Sequence, residues 1–338
     1  MNFRSDNTAP AAPEIIAALT SVNESAAPAY GEDQWSKRLN ETFSDVFERD
    51  VRVFTVASGT AANAICVASL TPPWGAVLCH REAHIECDEC GAAEFYSGGA
   101  KLVLIDGDAA KLTPATLEEG IARNERGIHS VMPSAISVSQ TTERGAVYKP
   151  DELAALGKIA KRAGLGLHMD GARFGNAVAA LGCKPADITW RAGVDLLSFG
   201  ATKNGAIAAE AIVCFDPARA EEIGRRRKRS GHLFSKGRFV AAQLLAYLDN
   251  DLWLKLARQS NAMAARLGEA ALPFLSHPVE SNQLFIKPGP EALAKLRAAG
   301  AEFYDWGNGQ SGEARLVVSW NQSEADINAM IKALSALR

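Results

Sequence analysis

The sequence is poor in aromatic residues, in cysteine and in excess charge of either sign. Aromatic residues make up 7% of the 338, and there are six cysteines, most of them inside apolar runs. The formal net charge of −3 gives no bulk attraction to nucleic acid or to a membrane surface. No apolar run of about 18 residues occurs, and the segment MNFRSDNTAP has no signal-peptide core. We therefore predict a soluble, cytoplasmic protein with reduced thiols and with no nucleic-acid or membrane partner.

The chain does contain a globular balance of 47% hydrophobic and 22% charged residues, enough for a large core. Short strand-like runs alternate with helical patterns as far as about residue 215. These runs are 51–57, 76–79, 102–105, 136–138, 165–169, 195–199 and 211–215. Because strands that alternate with helices form parallel sheets covered on both faces, the sequence predicts an α/β fold with a mainly parallel sheet.

The C-terminal part has a different character. A stretch rich in alanine and leucine predicts one long helical segment over residues 244–272. Alternation over residues 315–320 predicts a half-buried strand, and Ser323 with Asp326 predicts the start of a last helix. We therefore predict two domains, a large one over residues 1–245 and a smaller α/β domain over residues 246–338.

An acid follows one of the predicted strands. The segment 165–173 reads Leu-Gly-Leu-His-Met-Asp-Gly-Ala-Arg, so a buried strand ends at Asp170 before a turn at Gly171. Ligands of open α/β sheets gather at the carboxyl ends of strands, where this acid is placed to meet a cofactor. Taken alone, Asp170 would serve equally well as a helix cap.

A lysine follows the next predicted strand. The segment 195–205 ends in Ala-Thr-Lys-Asn-Gly, and Lys203 comes about one helix and one strand after Asp170. A lysine amine forms an imine with an aldehyde, and burial favours its neutral, nucleophilic form. An acid paired with a pyridine nitrogen keeps that ring able to accept electrons. On this segment alone, a surface lysine in a turn is the simpler interpretation.

A third segment, Thr-Val-Ala-Ser-Gly-Thr-Ala-Ala-Asn at 55–63, follows a strand and opens a helix. Free backbone N–H groups at the start of a helix bind phosphate. Gly59 would allow close approach of the backbone, and Thr60 would add a hydroxyl. A simple helix cap at Ser58 is the alternative.

Together these segments resemble the fold-type-I pyridoxal-phosphate enzymes and, more closely, the L-threonine aldolase family of the β-eliminating-lyase group. The resemblance spans most of the chain in the order of the family's motifs. It is carried by residues 4–8, 30–33, 58–63, 83–84, 168–173, 202–203 and 315–318. It implies cleavage of L-threonine, L-allo-threonine and related β-hydroxy-α-amino acids to glycine and an aldehyde, with pyridoxal 5'-phosphate as cofactor.

The resemblance also implies a role for each matching residue. Lys203 would form the Schiff base, Asp170 would pair with the pyridine nitrogen, and His84 would stack on the ring, so these three are the expected catalytic residues. The residues expected to hold the cofactor are Lys203, Asp170, Ser58, Gly59, Thr60, Arg173 and Thr202. The substrate carboxylate would be held by Ser5, Arg173 and Arg315, since arginine offers a two-donor fork. The alternatives without a catalytic or binding role are a histidine of the core at His84 and a solvent-exposed arginine at Arg315.

Enzymes of this fold class share active sites between subunits, so the resemblance implies a homodimer or homotetramer. The Tyr30 segment and the basic loop from Lys236 to Arg238 are the candidate cross-subunit contacts. In the family an arginine reaches the cofactor phosphate, and this sequence has no clean match for that arginine. Lys236 and Arg238 are the candidates to take its place.

The sequence departs from the family pattern after the strand at 136–138. Many members carry Thr-His-Asn-Gly there, whereas this chain has Ser-Gln-Thr-Thr-Glu-Arg-Gly at 139–145. The acid–base role of that histidine is therefore open between Thr142, Glu143, His84 with a water, and the cofactor phosphate.

Two rival functions remain open, and two further motifs are too weak to assign a site. The rivals are a β-eliminating lyase acting on tyrosine, tryptophan or a cysteine-like substrate, and a non-catalytic protein that binds pyridoxal phosphate. Cys87 and Cys90 near His84 could suggest zinc, but no second pair follows at finger spacing, so we expect no metal. The pattern GxGxxG at 307–312 precedes a strand, not a helix, and predicts a turn.

Overall fold

The computed structural model of the protein describes residues 1–307 and 311–337. Its centre is a seven-stranded sheet with the order β1-β7-β6-β5-β4-β2-β3. The strands are β1 (Arg52–Val56), β2 (Gly75–His80), β3 (Lys101–Ile105), β4 (Met132–Ser139), β5 (Gly166–Gly171), β6 (Leu196–Gly200) and β7 (Glu210–Cys214). Each strand run predicted from the sequence overlaps one of these seven strands.

Six of these strands run parallel, and β7 pairs antiparallel with β1 on one side and β6 on the other. Successive side chains of a strand point to opposite faces. The consecutive residues Leu196 and Leu197 accordingly pack into separate hydrophobic clusters, one on each face of the sheet. The predicted α/β class with a mainly parallel, doubly covered sheet is therefore confirmed.

Helices cover both faces of the sheet and continue into the C-terminal part. They are α1 (Pro13–Ser21), α2 (Gln34–Phe47), α3 (Gly59–Leu70), α4 (His84–Cys87), α5 (Ala92–Ser97), α6 (Pro114–Asn124), α7 (Pro150–Ala163), α8 (Phe174–Leu181), α9 (Ala220–Arg229), α10 (Arg238–Leu248), α11 (Leu252–Ala271), α12 (Pro290–Ala298) and α13 (Glu324–Ser335). In α7 a proline occupies the first turn, and Gly164 ends the helix in the left-handed region with φ of 69°.

The single helical segment predicted over residues 244–272 is wrong, because two helices occupy this stretch. α10 ends at Leu248 and α11 begins at Leu252. Between them Asn250 and Asp251 have φ values of 49° and 55°, which a helix interior does not allow. Asparagine and aspartate tolerate this left-handed conformation better than other non-glycine residues, so Asp-Asn-Asp forms a turn.

A second, three-stranded sheet has the order β8-β10-β9, with β8 (Gln283–Ile286), β9 (Tyr304–Asp305) and β10 (Ala314–Val317). The half-buried strand predicted over 315–320 is wrong in length and burial. It ends at Val317, and both Leu316 and Val317 are only 1% exposed. The last helix begins as predicted, since the Ser323 hydroxyl accepts a hydrogen bond from the Asp326 backbone N–H.

The N-terminal segment crosses between the two sheets. Phe3 is buried in the cluster of the small sheet, and the Phe3 carbonyl accepts a hydrogen bond of 2.9 Å from the Val317 backbone N–H. The residues after Phe3 reach the carboxyl ends of the large sheet. The division into domains at residue 245 remains a prediction, with residues 1–3 packed against the C-terminal part.

No helix within the described residues is long and apolar enough to cross a membrane. The turn predicted over residues 307–312 includes residues 308–310, which lie outside the described residues.

Candidate active site

A cavity of about 240 Å³ lies at the carboxyl ends of β5 and β6. It is lined by the start of α3, by α4, and by the segments that follow the two strands. The polar residues that line it are Asn7, Ser58, Thr60, Asn63, His84, Glu89, Asp170, Thr202, Lys203 and Glu210. The structure therefore brings together six of the polar site residues expected from the sequence: Ser58, Thr60, His84, Asp170, Thr202 and Lys203.

Asp170 lies in β5 and presents its carboxylate to this cavity. Oδ1 accepts a hydrogen bond of 2.9 Å from the Ala172 backbone N–H, and Oδ2 accepts one of 2.8 Å from Asn63 Nδ2. Burial alone would raise the pKa of Asp170, but the nearby charges of His84 and Lys203 lower it below its ordinary value. A carboxylate held in this way is ionised at neutral pH, as a partner for a protonated ring nitrogen must be.

Lys203 follows β6 in a single helical turn, Thr202–Asn204. Asn204 fixes that turn, since its Nδ2 donates to the Tyr247 hydroxyl at 2.7 Å and to the Trp253 carbonyl at 2.9 Å. Gly205 ends it with φ of 108°. Burial, reinforced by the charge of Arg173, lowers the pKa of the Lys203 amine. A lowered pKa favours the neutral amine that attacks an aldehyde.

The start of α3 lies at the wall of the cavity. The Ser58 hydroxyl caps the helix by accepting a hydrogen bond of 3.2 Å from the Ala61 backbone N–H. A Cβ added at Gly59 would meet no atom within 4 Å, so the space beside this backbone is open. Thr60 and Thr202 both line the cavity, and the Thr202 hydroxyl accepts a hydrogen bond of 3.2 Å from the Ala209 N–H.

His84 begins α4 and belongs to a network that the sequence did not reveal. Its Nδ1 lies 2.8 Å from Glu89 Oε1, and Asn63 Nδ2 donates to the same Glu89 oxygen at 2.8 Å. Nitrogen and oxygen atoms of His84, Glu89 and Asp170 all lie within 4.8 Å of one another, a spacing that could also hold a metal. Hydrogen bonds already join these groups, directly or through Asn63, so we assign a proton network.

Glu210 is a second acid that sequence reasoning missed. It begins β7, lines the cavity, and accepts a hydrogen bond of 3.3 Å from the Thr202 backbone N–H. Burial raises the pKa of Glu210 to about 7. A glutamate at the start of an otherwise apolar strand is the signal that could have identified it, because charged residues are seldom buried without a partner.

Arg173 is paired with an acid of its own chain. Its Nε and Nη2 donate to the two Asp6 oxygens at 2.7 and 2.9 Å, and Asn282 Nδ2 donates to Asp6 at 3.1 Å. The two donors of the guanidinium fork are thus engaged by Asp6. The structure does not place Arg173 on the wall of the 240 Å³ cavity.

Arg315 and Ser5 differ in whether their polar atoms already have hydrogen-bond partners. Arg315 lies in β10 with its guanidinium 5.2 Å from the centre of the Trp306 ring, and its Nε is buried with no hydrogen-bond partner within the described part of the chain. Burial and the charge of Arg173 lower the pKa of Arg315. The Ser5 hydroxyl instead accepts from the Asn7 backbone N–H at 3.2 Å and shapes the turn that carries Asp6.

The candidates for the open acid–base role also differ. Thr142 is fully buried, and its Oγ1 donates to the Ala109 carbonyl at 2.8 Å and accepts from the Ala146 N–H at 3.1 Å. One oxygen of Glu143 accepts from the His84 backbone N–H at 3.0 Å and from Ser139 Oγ at 2.5 Å. Burial raises the pKa of Glu143 to about 7. Thr142 therefore has a structural role, whereas Glu143 and His84 remain candidates.

The two candidate cross-subunit segments lie side by side, away from the cavity of their own chain. The Tyr30 backbone N–H donates to the Ser235 carbonyl at 2.9 Å. The Lys228 amine lies 4.7 Å from the centre of the Tyr30 ring, and this ring is 52% exposed. Arg238 Nε donates to the Val22 carbonyl at 3.2 Å. Neither Lys236 nor Arg238 lines the 240 Å³ cavity.

The Asp6–Arg173 pair leads to a prediction for stability. The two side chains are 1% and 11% exposed, so Asp6→Ala leaves a buried, unpaired guanidinium and is expected to reduce the free energy of unfolding by about 3–5 kcal/mol. Urea denaturation at pH 7 measures this difference. The exposed Asp305–Arg297 pair is the control, and Asp305→Ala is expected to cost under about 1 kcal/mol.

The same pair has a defined pH dependence. Burial alone would raise the pKa of Asp6, but the Arg173 charge and hydrogen bonds hold it below its ordinary value. The contribution of the pair is therefore complete above about pH 4 and is lost as the pH falls through the lowered pKa. An equal difference between the wild type and Asp6→Ala at pH 7 and in strong acid would contradict this account.

The sheet order and the site at the carboxyl ends of β5 and β6 define the fold of the fold-type-I pyridoxal-phosphate-dependent enzymes. Aspartate aminotransferase from Thermus thermophilus has this fold, with a TM-score of 0.71 at 16% identity over 98% of this chain and 89% of that chain. Beyond the fold, the model of the β-eliminating lyase family matches residues 2–286. The chain belongs to the β-eliminating lyase family.

Individual relatives agree with this assignment. The chain is 45% identical to the low specificity L-threonine aldolase of Pseudomonas aeruginosa over 323 residues, covering 94% of this chain and 92% of that protein. It is 42% identical to the protein of the same description from Pseudomonas sp. strain NCIMB 10558, covering 99% and 97%. A threonine aldolase structure from Leishmania major matches with a TM-score of 0.93 at 29% identity over 99% of both chains. The family resemblance stated from the motifs is confirmed.

Proposed function

We propose that the protein is a pyridoxal-phosphate-dependent aldolase that cleaves L-threonine, L-allo-threonine and related β-hydroxy-α-amino acids to glycine and an aldehyde. The observation that carries the proposal is the position of Lys203 and Asp170 on the wall of one buried cavity. The names of the relatives that match nearly the whole chain support the substrate class.

The cavity fits the cofactor in three ways. Lys203 offers an amine with a lowered pKa, Asp170 offers an ionised carboxylate, and the start of α3 offers N–H groups beside open space at Gly59. In addition, Asn63 Oδ1 and Glu89 Oε2 are buried and have no hydrogen-bond partner among the described residues, as expected for a wall that completes its hydrogen bonds with a ligand. Ser58, Gly59, Thr60 and Thr202 would hold the phosphate. When bound, the cofactor supplies an electron-accepting ring for the bond broken at the substrate Cα.

The chain's own residues then divide the remaining work. Lys203 would hold the cofactor through its amine before substrate binds and after product leaves. Asp170 would keep the ring nitrogen protonated through its charge. His84 takes up the proton of the substrate β-hydroxyl at Nε2, the ring atom that has no hydrogen-bond partner within the described residues.

Orientation of the substrate is assigned to the arginines. We propose that Arg315, with its unpaired buried Nε, binds the carboxylate, and that Arg173 adds charge from its position against Asp6. Ser5 contributes through the turn in which its hydroxyl lies. Holding the carboxylate in one place would orient the bonds at the substrate Cα, and we expect this orientation to favour aldol cleavage over decarboxylation.

The identity of the proton acceptor is tested by two matched substitutions. His84→Gln is expected to reduce kcat/KM by about 10²–10⁴-fold, because proton transfer by a positioned side chain contributes that range. Glu143→Gln keeps an oxygen for the His84 N–H and for Ser139, and is expected to reduce kcat/KM less than about tenfold. The measurement is the initial rate of glycine formation. The reverse ranking of the two variants would assign the proton to Glu143.

The reaction class is tested with three groups of substrate. We expect glycine and acetaldehyde from L-threonine and L-allo-threonine, and no keto acid from tyrosine, tryptophan or a cysteine-like substrate. Keto-acid release alone would assign a β-eliminating lyase. Cofactor binding with neither product would assign a non-catalytic pyridoxal-phosphate protein.

We further propose a cytoplasmic homodimer or homotetramer with shared active sites. All six cysteines are free, as in a reducing compartment. Tyr30 is an exposed aromatic ring beside a basic loop, which suits contact with a second subunit and its cofactor phosphate. Sedimentation of the purified protein measures its assembly state, and a monomeric holoenzyme with full activity would exclude a shared site.

A further inference from the structure

One buried carboxylate contacts His84 directly and is joined to Asp170 through Asn63. The Glu89 side chain is 0% exposed, its Oε1 lies 2.8 Å from His84 Nδ1, and the same oxygen accepts a hydrogen bond of 2.8 Å from Asn63 Nδ2. Asn63 donates its second amide hydrogen to Asp170 Oδ2 at 2.8 Å. An amide nitrogen carries two hydrogens, so both are used and the orientation of Asn63 is determined.

The network also determines where the His84 proton resides. A fully buried carboxylate is stable only with a charged or hydrogen-bonding partner, and His84 is the titratable group that donates to Glu89. A carboxylate has no hydrogen to offer when ionised, so Nδ1 must be the protonated nitrogen of a neutral His84. Nε2 then carries the lone pair. A carboxylate that orients a histidine in this way is a recurring arrangement for a general base.

We propose that Glu89 is a positioning residue that holds His84 in the Nδ1–H tautomer, leaving Nε2 as the proton-accepting atom, and that Asn63 ties Asp170 to the same carboxylate. This inference rests on the proposed function, in which His84 accepts the β-hydroxyl proton. It assigns a role to Glu89, which lies outside the motifs, and to Asn63, which ends the motif at 58–63 but had no role assigned to it.

Several charged groups face His84 and set the sign of the expected effect. The hydrogen bond to Glu89 raises the pKa of His84, against the opposing effect of burial. Asp170 also raises the pKa, whereas Lys203 lowers it. Glu143 contacts the backbone N–H of His84 rather than its ring. Removal of the Glu89 charge therefore lowers the pKa of His84.

The substitution that isolates this charge is Glu89→Gln. Its amide oxygen can accept both hydrogen bonds now made by Oε1, and its amide nitrogen takes the place of Oε2, which has no partner in residues 1–307 and 311–337. We expect kcat/KM to fall by about 10–100-fold, which is the loss typical when a residue that orients a metal-binding histidine is replaced. We also expect the acidic limb of the kcat/KM profile to move to lower pH, which a purely structural loss would not cause.

Glu94→Gln is the matched control. Glu94 lies in α5, shortly after Glu89, and makes no hydrogen bond to the cavity within the described residues. Its replacement is expected to leave the pH profile and kcat/KM unchanged. An unmoved acidic limb in Glu89→Gln, or an equal shift in Glu94→Gln, would overturn the inference.

A second measurement does not depend on whether the Glu89 variant folds, and it does not depend on catalytic activity. Nitrogen NMR of the holoenzyme labelled at histidine reports the tautomer and pKa of each of the six histidines, and His84→Gln assigns the His84 signals by their loss. We expect neutral His84 to carry its proton on Nδ1. A proton on Nε2 overturns the inference whether or not the protein cleaves threonine, and an Nδ1 proton without aldehyde release would fault only the proposed reaction.

Discussion

Lys203→Ala is expected to abolish covalent attachment of the cofactor and to reduce kcat for threonine cleavage by roughly 10³-fold or more. The physical reason is that burial and the charge of Arg173 lower the pKa of this amine at the cavity wall. Absorbance of the purified protein, together with borohydride reduction and peptide mass analysis, measures the attachment. Glycine formation measures the rate.

Lys111→Ala is a suitable control for this variant. Lys111 is also a partly buried lysine, with a side chain 17% exposed, but it pairs with Glu152 and the Val147 carbonyl away from the cavity. We expect it to retain the absorbance band of the lysine-bound cofactor and most of the activity. Persistence of that band in Lys203→Ala would refute the assignment of the lysine.

The positions of Lys203 and Asp170 could be predicted because each follows a strand, and the two strands are neighbours. Asp170 in β5 pairs in register with Ser198 in β6, so the carboxyl ends of both strands reach the same edge of the sheet. Strand runs are short and rich in branched apolar residues, which is a local signal. The strands therefore follow from patterns within single segments, whereas the roles of Asp170 and Lys203 needed the resemblance of several segments together to a known family.

Contacts between distant segments have no such local signal. Asn63 and Asp170 are 107 residues apart, and Arg173 and Asp6 are 167 residues apart. A glutamate such as Glu89 in a polar stretch gives no sign that its side chain is fully buried. The sequence also placed Arg173 with the substrate carboxylate, whereas the structure pairs its fork with Asp6, and only the folded chain reveals that competing partner.

The break between α10 and α11 was missed for a different reason. Alanine and leucine on either side favour helix strongly enough to extend the pattern across residues 249–251. Asp-Asn-Asp at 249–251 is itself a turn signal, since these residues tolerate the left-handed φ values that Asn250 and Asp251 adopt. The Leu252 and Trp253 side chains that follow are buried in the main hydrophobic cluster. The break therefore has a local signal, which the helical pattern on either side outweighs.

Asp170→Asn is expected to separate activity from stability. Loss of the charge should reduce kcat by about 10²–10³-fold, because the ring nitrogen would no longer be held protonated. Asparagine has the same shape but only one acceptor oxygen, so it keeps one of the hydrogen bonds from the Ala172 N–H and Asn63 Nδ2 and loses the other. We therefore expect a cost of only about 1–2 kcal/mol in the free energy of unfolding of the cofactor-free protein.

Asp170→Glu separates charge from geometry in the same position. It restores the carboxylate but displaces it by one methylene, so we expect recovery of part of the activity lost in Asp170→Asn and a larger loss of stability in the packed site. Steady-state kinetics and urea denaturation of the three proteins measure both quantities. Full activity in Asp170→Asn would mean that the ring nitrogen does not need the charge of Asp170, and the remaining acids on the cavity wall, Glu89 and Glu210, would then be the candidates for that role.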